Sequence, residues 1–239
     1  MENYPHPYLY MAATSGFFWT ITYILIIKRG FQDKAHGMPM WALAMNISWE
    51  FIYSFVTPAP APQLYINIVW FSFDVVILYH FIKSWKLDFP QFQARYFYPF
   101  FALVMVTSFL GVLFIQYDGL HPGVMNLEAS KGYALGMGRA YSAFGMNMIM
   151  SILYVGMIMS RNSVAGQSIY IALAKMIGTI FADLAFIVYP KSPITPGTPH
   201  ADELLFPYMY AAILIFDIIY VVLVYRKCKE EGINPWRRA

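Results

Sequence analysis

Seven long apolar stretches constrain this chain more than any other feature of its sequence. Each has 18 to 22 residues, and they lie at 9–27, 39–56, 65–82, 97–115, 140–159, 168–189 and 206–225. A helix needs about 20 apolar residues to cross a hydrocarbon core about 30 Å thick. The segments between them are rich in Pro, Gly or charge, which end helices where a chain leaves lipid. We therefore expect an all-α polytopic membrane protein, a bundle of seven transmembrane helices forming one domain over residues 1–239.

The amino-acid composition supports a lipid environment. Apolar residues make up 59% of the 239 residues and charged residues only 12%, whereas soluble domains are about 25% charged. This balance disfavours soluble dehydrogenases, nucleic-acid-binding modules and disordered regulators, so the expected partner is the bilayer and no nucleic acid. The single cysteine, Cys228, cannot form an internal disulfide. The five histidines are scattered without zinc-ligand spacing, so no metal site is expected.

The distribution of Lys and Arg predicts an orientation. Twelve of the sixteen lie in the first, third and fifth loops and in the C-terminal tail. Basic loops stay in the cytosol. The N-terminus is therefore predicted to be lumenal and the C-terminus cytosolic. The loops at 116–139 and 190–205 then lie on the lumenal side, either capping a cavity or serving as solvated connections.

Five ionisable residues lie inside the predicted spans, where each costs about 2.5–3.5 kcal/mol. Glu50, Asp74 and Asp217 lie near the middle of their spans, and Lys175 and Asp183 share one span. Three carboxyls at similar depth predict one interior cavity. Lys175 and Asp183 are about 80° apart around the helix, so each is expected to pair with another helix in a structural role.

Polar and aromatic residues recur at helical spacing around these acids. The stripes are Asn46, Glu50 and Tyr53; Trp70 and Asp74; Asn147, Ser151 and Tyr154; and Tyr210 and Asp217. Residues four and seven apart share a helix face, so the stripes are expected to converge. Packing between helices is the alternative for Asn147, Ser151 and each aromatic residue.

These residue types suit acid-initiated chemistry on a hydrophobic substrate. A carboxyl enclosed by apolar walls keeps its proton because its charged form is disfavoured. Aromatic rings can stabilise a carbocation, and excluding water protects it. The combination favours cyclisation of a polyene. A proton-coupled transporter with an intramembrane carboxylate relay remains the alternative, whereas a retinal protein is disfavoured because the last span contains no lysine.

Four strings carry a family resemblance. They are Asn46-Ile47-Ser48-Trp49-Glu50, Trp70-Phe71-Ser72-Phe73-Asp74, the segment from Arg161 through Gly166-Gln167-Ser168 to Lys175-Met176-Ile177-Gly178-Thr179, and Asp217-Ile218-Ile219-Tyr220. In this order the chain resembles the integral-membrane terpene cyclases of fungal meroterpenoid and indole diterpene biosynthesis, the family of the pyripyropene and paxilline cyclases. The resemblance implies protonation of the terminal epoxide of a prenylated substrate, without metal or other cofactor, in the endoplasmic reticulum. It also implies that Glu50 and Asp217 match the family's two essential acidic positions.

The resulting hypothesis assigns roles within this set. Glu50 is the leading general acid, oriented by Asn46, and Asp217 completes a proton-sharing network. The residues expected to contact or shape the space for an epoxyprenyl substrate are Asn46, Trp49, Tyr53, Trp70, Asp74, Asn147, Tyr154 and Tyr220.

Overall fold

The fold is entirely helical because a chain in lipid must satisfy its backbone hydrogen bonds within each segment. The computed structural model describes residues 6–118, 127–188 and 204–239, which form seven α-helices. They are α1 (His6–Asp33), α2 (Met40–Phe51), α3 (Gln63–Ser84), α4 (Ala94–Asp118), α5 (Leu127–Arg161), α6 (Ile169–Val188) and α7 (Leu205–Glu230). Six helices of this described part are long and apolar enough to cross a membrane. The prediction of an all-α polytopic membrane protein is confirmed.

Helix α2 is the exception to the seven predicted spans. It has 12 residues and continues into a five-residue π-helical turn, Ile52–Val56. Nine of the 12 residues are buried against other helices. The apolar pattern predicts one span over 39–56, because the π-helical turn does not interrupt the run of apolar residues. The described residues therefore provide six candidate spans, with α2 as a shorter helix packed against its neighbours.

The segment between α4 and α5 also differs from the prediction. Helix α4 extends to Asp118 and α5 already begins at Leu127, so most of the loop predicted at 116–139 is helical. The predicted span begins only at residue 140, because Glu128, Lys131 and Gly132 are residue types typical of loops. The loop predicted at 190–205 falls almost entirely outside the described residues.

The seven helices close into a ring. Helix α1 packs against α3 and α6, α2 packs against α3, α4 and α5, and α7 packs against α5 and α6. The main buried cluster lies inside this ring and includes Tyr23, Phe81, Tyr154 and Tyr220. Polar side chains that point inward therefore meet protein instead of lipid.

One end of the ring is held by a buried ionic contact among three connections. Arg161 binds Asp88 through two nitrogens, at 2.7 and 2.9 Å, and its Nη2 lies 2.8 Å from His36 Nε2. The imidazole Nε2 of His36 also lies 2.7 Å from Asp88 Oδ2. Although burial favours the neutral acid, hydrogen bonds from His36 and Arg161 lower the pKa of Asp88 to about 2.

The C-terminal segment reaches the same end. Arg238 contacts Asp33 Oδ2 at 2.5 Å and donates to the carbonyls of Gln167 and Val164 at 2.9 and 2.8 Å. The first, third and fifth connections and the tail thus meet at one end of the ring. These are the segments that hold most of the basic residues. That this end faces the cytosol is a prediction from their charge.

Candidate active site

The first polar cluster inside the ring joins two acids from different helices. Asn46 Nδ2 donates to Asp74 Oδ2 at 2.7 Å and to Glu50 Oε1 at 3.2 Å. Tyr23 of α1 donates its hydroxyl to Glu50 Oε1, and its hydroxyl oxygen also contacts Asn46 Nδ2. Four residues of α1, α2 and α3 therefore form one acid cluster.

The acid cluster is closed off and only partly satisfied. Glu50 is 1% and Asp74 0% exposed. Within the described part of the chain, Glu50 Oε2 and Asp74 Oδ1 are buried without a hydrogen-bond partner. Buried polar atoms normally have partners, so each acid presents one free oxygen that could serve a substrate.

Local structure explains how α2 aims its two polar residues. Asn46 and Glu50 are four apart and share a face, and they lie in the last two turns of the α-helical part. The π-helical turn that follows widens the helix, and such turns are frequent at functional sites. It ends with Thr57 N donating to Ile52 O at 2.8 Å.

The second polar cluster is an ion pair between α6 and α7. Lys175 Nζ donates to Asp217 Oδ1 at 2.6 Å and to Ser151 Oγ of α5 at 2.7 Å. Both charged side chains are 1% exposed. The expectation that Lys175 pairs with a residue on another helix is confirmed. Asp217 Oδ2 has no partner among the described residues.

The hypothesis placed Asp217 in one network with Glu50, and the structure separates them. Among the described residues, the hydrogen bonds of Glu50 go to Tyr23 and Asn46, and those of Asp217 go to Lys175. Trp19 lies between the clusters: its ring is 6.4 Å from that of Tyr23 and 5.7 Å from Lys175 Nζ. The neighbour of Glu50 is thus Asp74, because α2 packs against α3.

Trp49 and Tyr53 point away from the acid cluster. Trp49 Nε1 donates to Ser142 Oγ of α5 at 3.1 Å, and the Tyr53 hydroxyl donates to Gln116 Oε1 at 2.7 Å. Together with Val112 they belong to a separate buried cluster. Their contacts are those of helix packing, and the stripe that joined Tyr53 to Glu50 is broken by the π-helical turn.

The remaining predicted residues lie around the two clusters. Trp70 stacks on Tyr23 with ring centroids 5.8 Å apart, and Asn147 donates to Thr179 at 3.1 Å. Tyr154 lies 4.9 Å from the ring of Tyr220 and 6.0 Å from Lys175 Nζ. Tyr220 donates its hydroxyl to Gln167. Trp70 therefore supports Tyr23, while Tyr154 lies beside the ion pair.

Sequence reasoning missed Tyr23 and Trp19, which connect α1 to both clusters. A signal was present, since the two aromatic residues are four apart in the first span. It was indistinguishable from an ordinary interface anchor. The partner of Asp217 was also missed, because spacing within one helix says nothing about contacts between helices.

The predicted interior cavity can be compared with the grooves of the structure. A groove of about 350 Å³ lies between α2, α3 and α4 and is lined by Ile47, Phe51, Phe71, Met105 and Phe109, among others. A second, of about 290 Å³, lies beside Tyr225 and Trp236. Neither is lined by Glu50, Asp74 or Asp217. No group of three His, Cys, Asp or Glu in the described residues is arranged to hold a metal ion.

Comparison with known proteins agrees with this architecture. Residues 2–231 match the family of Pyr4-like transmembrane terpene cyclases. The chain is 30% identical to the Pyr4-family terpene cyclase mfmH of Annulohypoxylon moriforme, with 90% of this chain and 86% of the relative covered. It is 26% identical to terpene cyclase macJ of Penicillium terrestre, with coverage of 90% and 86%. It is also 26% identical to asnovolin H synthase nvfL of Aspergillus novofumigatus, with coverage of 90% and 84%.

No solved structure matches the chain. The family match extends over nearly all of the sequence, and the helical membrane architecture is what such an enzyme requires. The chain therefore belongs to the Pyr4-like transmembrane terpene cyclases.

Proposed function

We propose that this cyclase protonates the terminal epoxide of a prenylated substrate, of the meroterpenoid or indole diterpene type, and so starts a cationic polyene cyclisation. The observation that carries the proposal is the Glu50–Asp74 pair, in which both acids accept a hydrogen bond from the same Asn46 nitrogen. Two carboxyls this close in an apolar interior hold one proton between them. That proton is available to a bound epoxide.

The proton moves to the epoxide oxygen as a C–O bond breaks. Glu50 is the donor, and Tyr23 and Asn46 stabilise the carboxylate that remains because both donate to Oε1. The electrons of the nearest double bond form the first new C–C bond, and the positive charge moves to the next carbon. The free oxygens of Glu50 and Asp74 are the atoms that can face the epoxide.

Asp217 has a different role in this proposal. Its Oδ1 is neutralised by Lys175, whereas its Oδ2 has no partner among the described residues. A fixed, buried carboxylate stabilises positive charge that develops nearby. The aromatic rings of Trp19 and Tyr154, which both lie over Lys175, provide further negative ring faces. Both clusters are buried.

The membrane supplies the substrate in this proposal. An epoxyprenyl chain dissolves in lipid and reaches the ring laterally. By family resemblance, the proposed location is the endoplasmic reticulum, with α2 completing a seven-helix bundle and the basic end in the cytosol.

The test is a pair of matched substitutions in microsomes. Glu50→Gln keeps the shape of the side chain but removes the transferable proton, and we expect epoxide consumption to fall at least 100-fold. Glu230→Gln, at an exposed position of α7, serves as the control and should retain the wild-type rate. Protein level in the membrane is measured by immunoblot for both variants.

The substrate panel contains epoxyprenylated polyketide, aromatic and indole acceptors, with a metal chelator present. Cyclised product from at least one acceptor supports the proposal. Wild-type cyclisation rates in Glu50→Gln would contradict the assignment of the proton donor. Absence of cyclised product from every epoxide, with cyclisation of the matching alkene instead, would contradict epoxide protonation itself.

A further inference from the structure

The second groove, of about 290 Å³, lies between α6 and α7 at the end of the ring where the C-terminal segment packs. Its apolar walls include Ile169 and Leu173 of α6 and Val221 and Val222 of α7. Val222 is 43% exposed, so the groove opens on the outer surface of the ring, which faces lipid in a membrane. The groove is therefore separate from the buried polar clusters inside the ring.

The C-terminal segment forms one wall of this groove. A short 3₁₀ turn, Pro235–Arg237, packs against both α6 and α7 and brings the indole of Trp236 to the groove. The Trp236 ring lies 6.2 Å from that of Tyr170 and 6.4 Å from that of Tyr225. The Trp236 carbonyl accepts a hydrogen bond from the Tyr170 hydroxyl at 2.9 Å. Contacts from two helices thus hold this wall in place.

Arg226 gives the groove a charged rim. It lines the groove and is the first charged residue after the apolar run from Ile218 to Tyr225. A transmembrane helix leaves the hydrocarbon where its apolar run ends, and Tyr and Trp are common at that level. Tyr225 and Trp236 both line the groove there. The Arg226 guanidinium is therefore expected at the depth of lipid phosphates, with the apolar walls extending from it toward the acyl chains.

The other basic groups near the rim add to the same positive field. Arg226 and Arg237 form no ion pair or side-chain hydrogen bond in the described part of the chain. Arg237 follows Trp236 directly, and Lys229 Nζ lies 5.9 Å from the centre of the Tyr225 ring. Three positive charges are thus available close to the mouth of the groove.

The acids of this region are engaged elsewhere. Glu230 binds Lys227 at 2.8 Å, and Glu231 accepts a hydrogen bond from the backbone nitrogen of Val164 at 2.9 Å. Neither glutamate lines the groove. The charge at the rim therefore complements an anion.

We propose that this groove binds an anionic phospholipid, with an acyl chain against the walls of α6 and α7 and the head-group phosphate at Arg226. Basic sites between transmembrane helices bind anionic lipid head groups through their charge, and a guanidinium can bind a phosphate through two nitrogens. A zwitterionic lipid fits the same apolar walls but carries no net charge, so the rim favours phosphatidylserine over phosphatidylcholine. The bound lipid contacts α6, α7 and the C-terminal turn together.

The test uses phospholipids with brominated acyl chains, which quench the fluorescence of a nearby tryptophan. The purified protein in detergent is titrated with brominated phosphatidylserine or with matched brominated phosphatidylcholine. The part of the quenching that is lost in Trp236→Phe reports the groove. We expect wild type to reach half-maximal quenching at a lower concentration of phosphatidylserine than of phosphatidylcholine.

Arg226→Gln should reduce this preference about fivefold, the effect expected for one basic residue at a membrane surface. Arg95→Gln removes the same charge from an exposed position of α4 outside the groove lining. It is the matched control and should keep the wild-type preference. Val222→Phe narrows the groove without changing charge, and it should raise the phosphatidylserine concentration needed by about threefold or more. Unfolding temperatures check that these variants, all at exposed positions, are folded.

Several outcomes would overturn the inference. Equal quenching of wild type by the two lipids would exclude a head-group site, and this comparison needs no substitution. Equal loss of preference in Arg95→Gln and Arg226→Gln would indicate diffuse attraction only. Unchanged binding in Val222→Phe would contradict the placement of the acyl chain, and displacement of the quencher by an epoxyprenylated acceptor would assign the groove to the substrate. None of these measurements requires turnover, so the result is independent of the role of Glu50.

Discussion

At the scale of single residues, Asn46 organises the acid cluster. One side-chain nitrogen contacts Tyr23, Glu50 and Asp74, which come from three helices. A side-chain amide suits this place because it can donate to two carboxyls without adding charge. The arrangement keeps two acids side by side.

The Lys175–Asp217 pair gives a prediction about stability and activity together. Lys175→Met leaves a buried carboxylate without its partner, and breaking such a pair costs about 3–5 kcal/mol. The double substitution Lys175→Met with Asp217→Asn removes both charges and should recover most of this loss. Thermal unfolding in detergent measures the recovery, and product analysis should show that cyclisation does not return.

Thermal unfolding tests the contribution of the ion pair to stability, and product analysis tests whether Asp217 takes part in cyclisation. Equal unfolding temperatures for Lys175→Met and the double variant would show that the unpaired Asp217 carboxylate is not the cause of the loss. Wild-type cyclisation in the double variant would show that Asp217 takes no part in the reaction.

Sequence alone reaches only part of this residue-scale description. The spacing of Asn46 and Glu50 indicates their shared face because both lie on one α-helix. The contact of Glu50 with Asp74, and that of Asp217 with Lys175, depend on which helices are neighbours. The spacing of residues within one span carries no information about which helices are neighbours. The prediction therefore grouped the acids by their depth in the membrane, and it placed Glu50 and Asp217 in one network although they lie in separate clusters.

At the scale of elements, α1 and α6 are in close contact at a glycine. A Cβ atom on Gly178 would lie 2.9 Å from Cδ1 of Trp19 and 3.3 Å from its backbone nitrogen. Small residues permit such close packing of membrane helices. The contact also fixes Trp19, the ring that lies between the two polar clusters.

We predict that Gly178→Ala forces α1 away from α6. Overpacking of this kind costs about 1–3 kcal/mol, so the unfolding temperature should fall and cyclisation should slow. Gly156→Ala, at a position of α5 where an added Cβ meets nothing within 4 Å, is the matched control and should be neutral. Equal effects from the two substitutions would contradict the close approach.

The sequence predicts the end of a helix where apolar residues give way to polar or charged ones. It does not predict an end where only the backbone geometry changes, as in the π-helical turn after α2. Both ends of α3 and the start of α7 lie within two residues of the predicted bounds, whereas α7 continues through the basic residues to Glu230. The end of α2 is not predicted, since the apolar sequence continues through the π-helical turn. Hydropathy therefore predicted a seventh span of ordinary length and continued the Asn46–Glu50 stripe to Tyr53.

At the scale of the whole molecule, the contact among His36, Asp88 and Arg161 ties three connections into one end of the ring. Arg161 binds Asp88 through two nitrogens, a geometry that lysine cannot reproduce. Burial lowers the pKa of His36, and its Nε2 lies within hydrogen-bond distance of both Asp88 and Arg161. The sequence placed these charges at one end but not in contact.

Asp88 makes the stability of this end dependent on pH. Its pKa of about 2 lies below that of an unfolded aspartate. The stabilisation, about 2 kcal/mol, is therefore complete above about pH 5 and is lost as the pH falls toward 2. Asp88→Asn should lower the unfolding temperature at pH 7 and have little effect near pH 2. A difference from wild type that stays constant over this range would contradict the assignment, and Glu230→Gln should show no effect at either pH.

The closure of the ring by α1 and α6 also has a consequence for biogenesis. Ribosomes synthesise α1 early but its neighbour late, and the chain from Asp33 to Val188 takes on the order of 10–30 s to translate. Throughout that time the hydroxyls of Thr22 and Tyr23, buried in the finished enzyme, have only part of their final environment. Helix α1 can therefore dock along α6 only after five further helices have been synthesised.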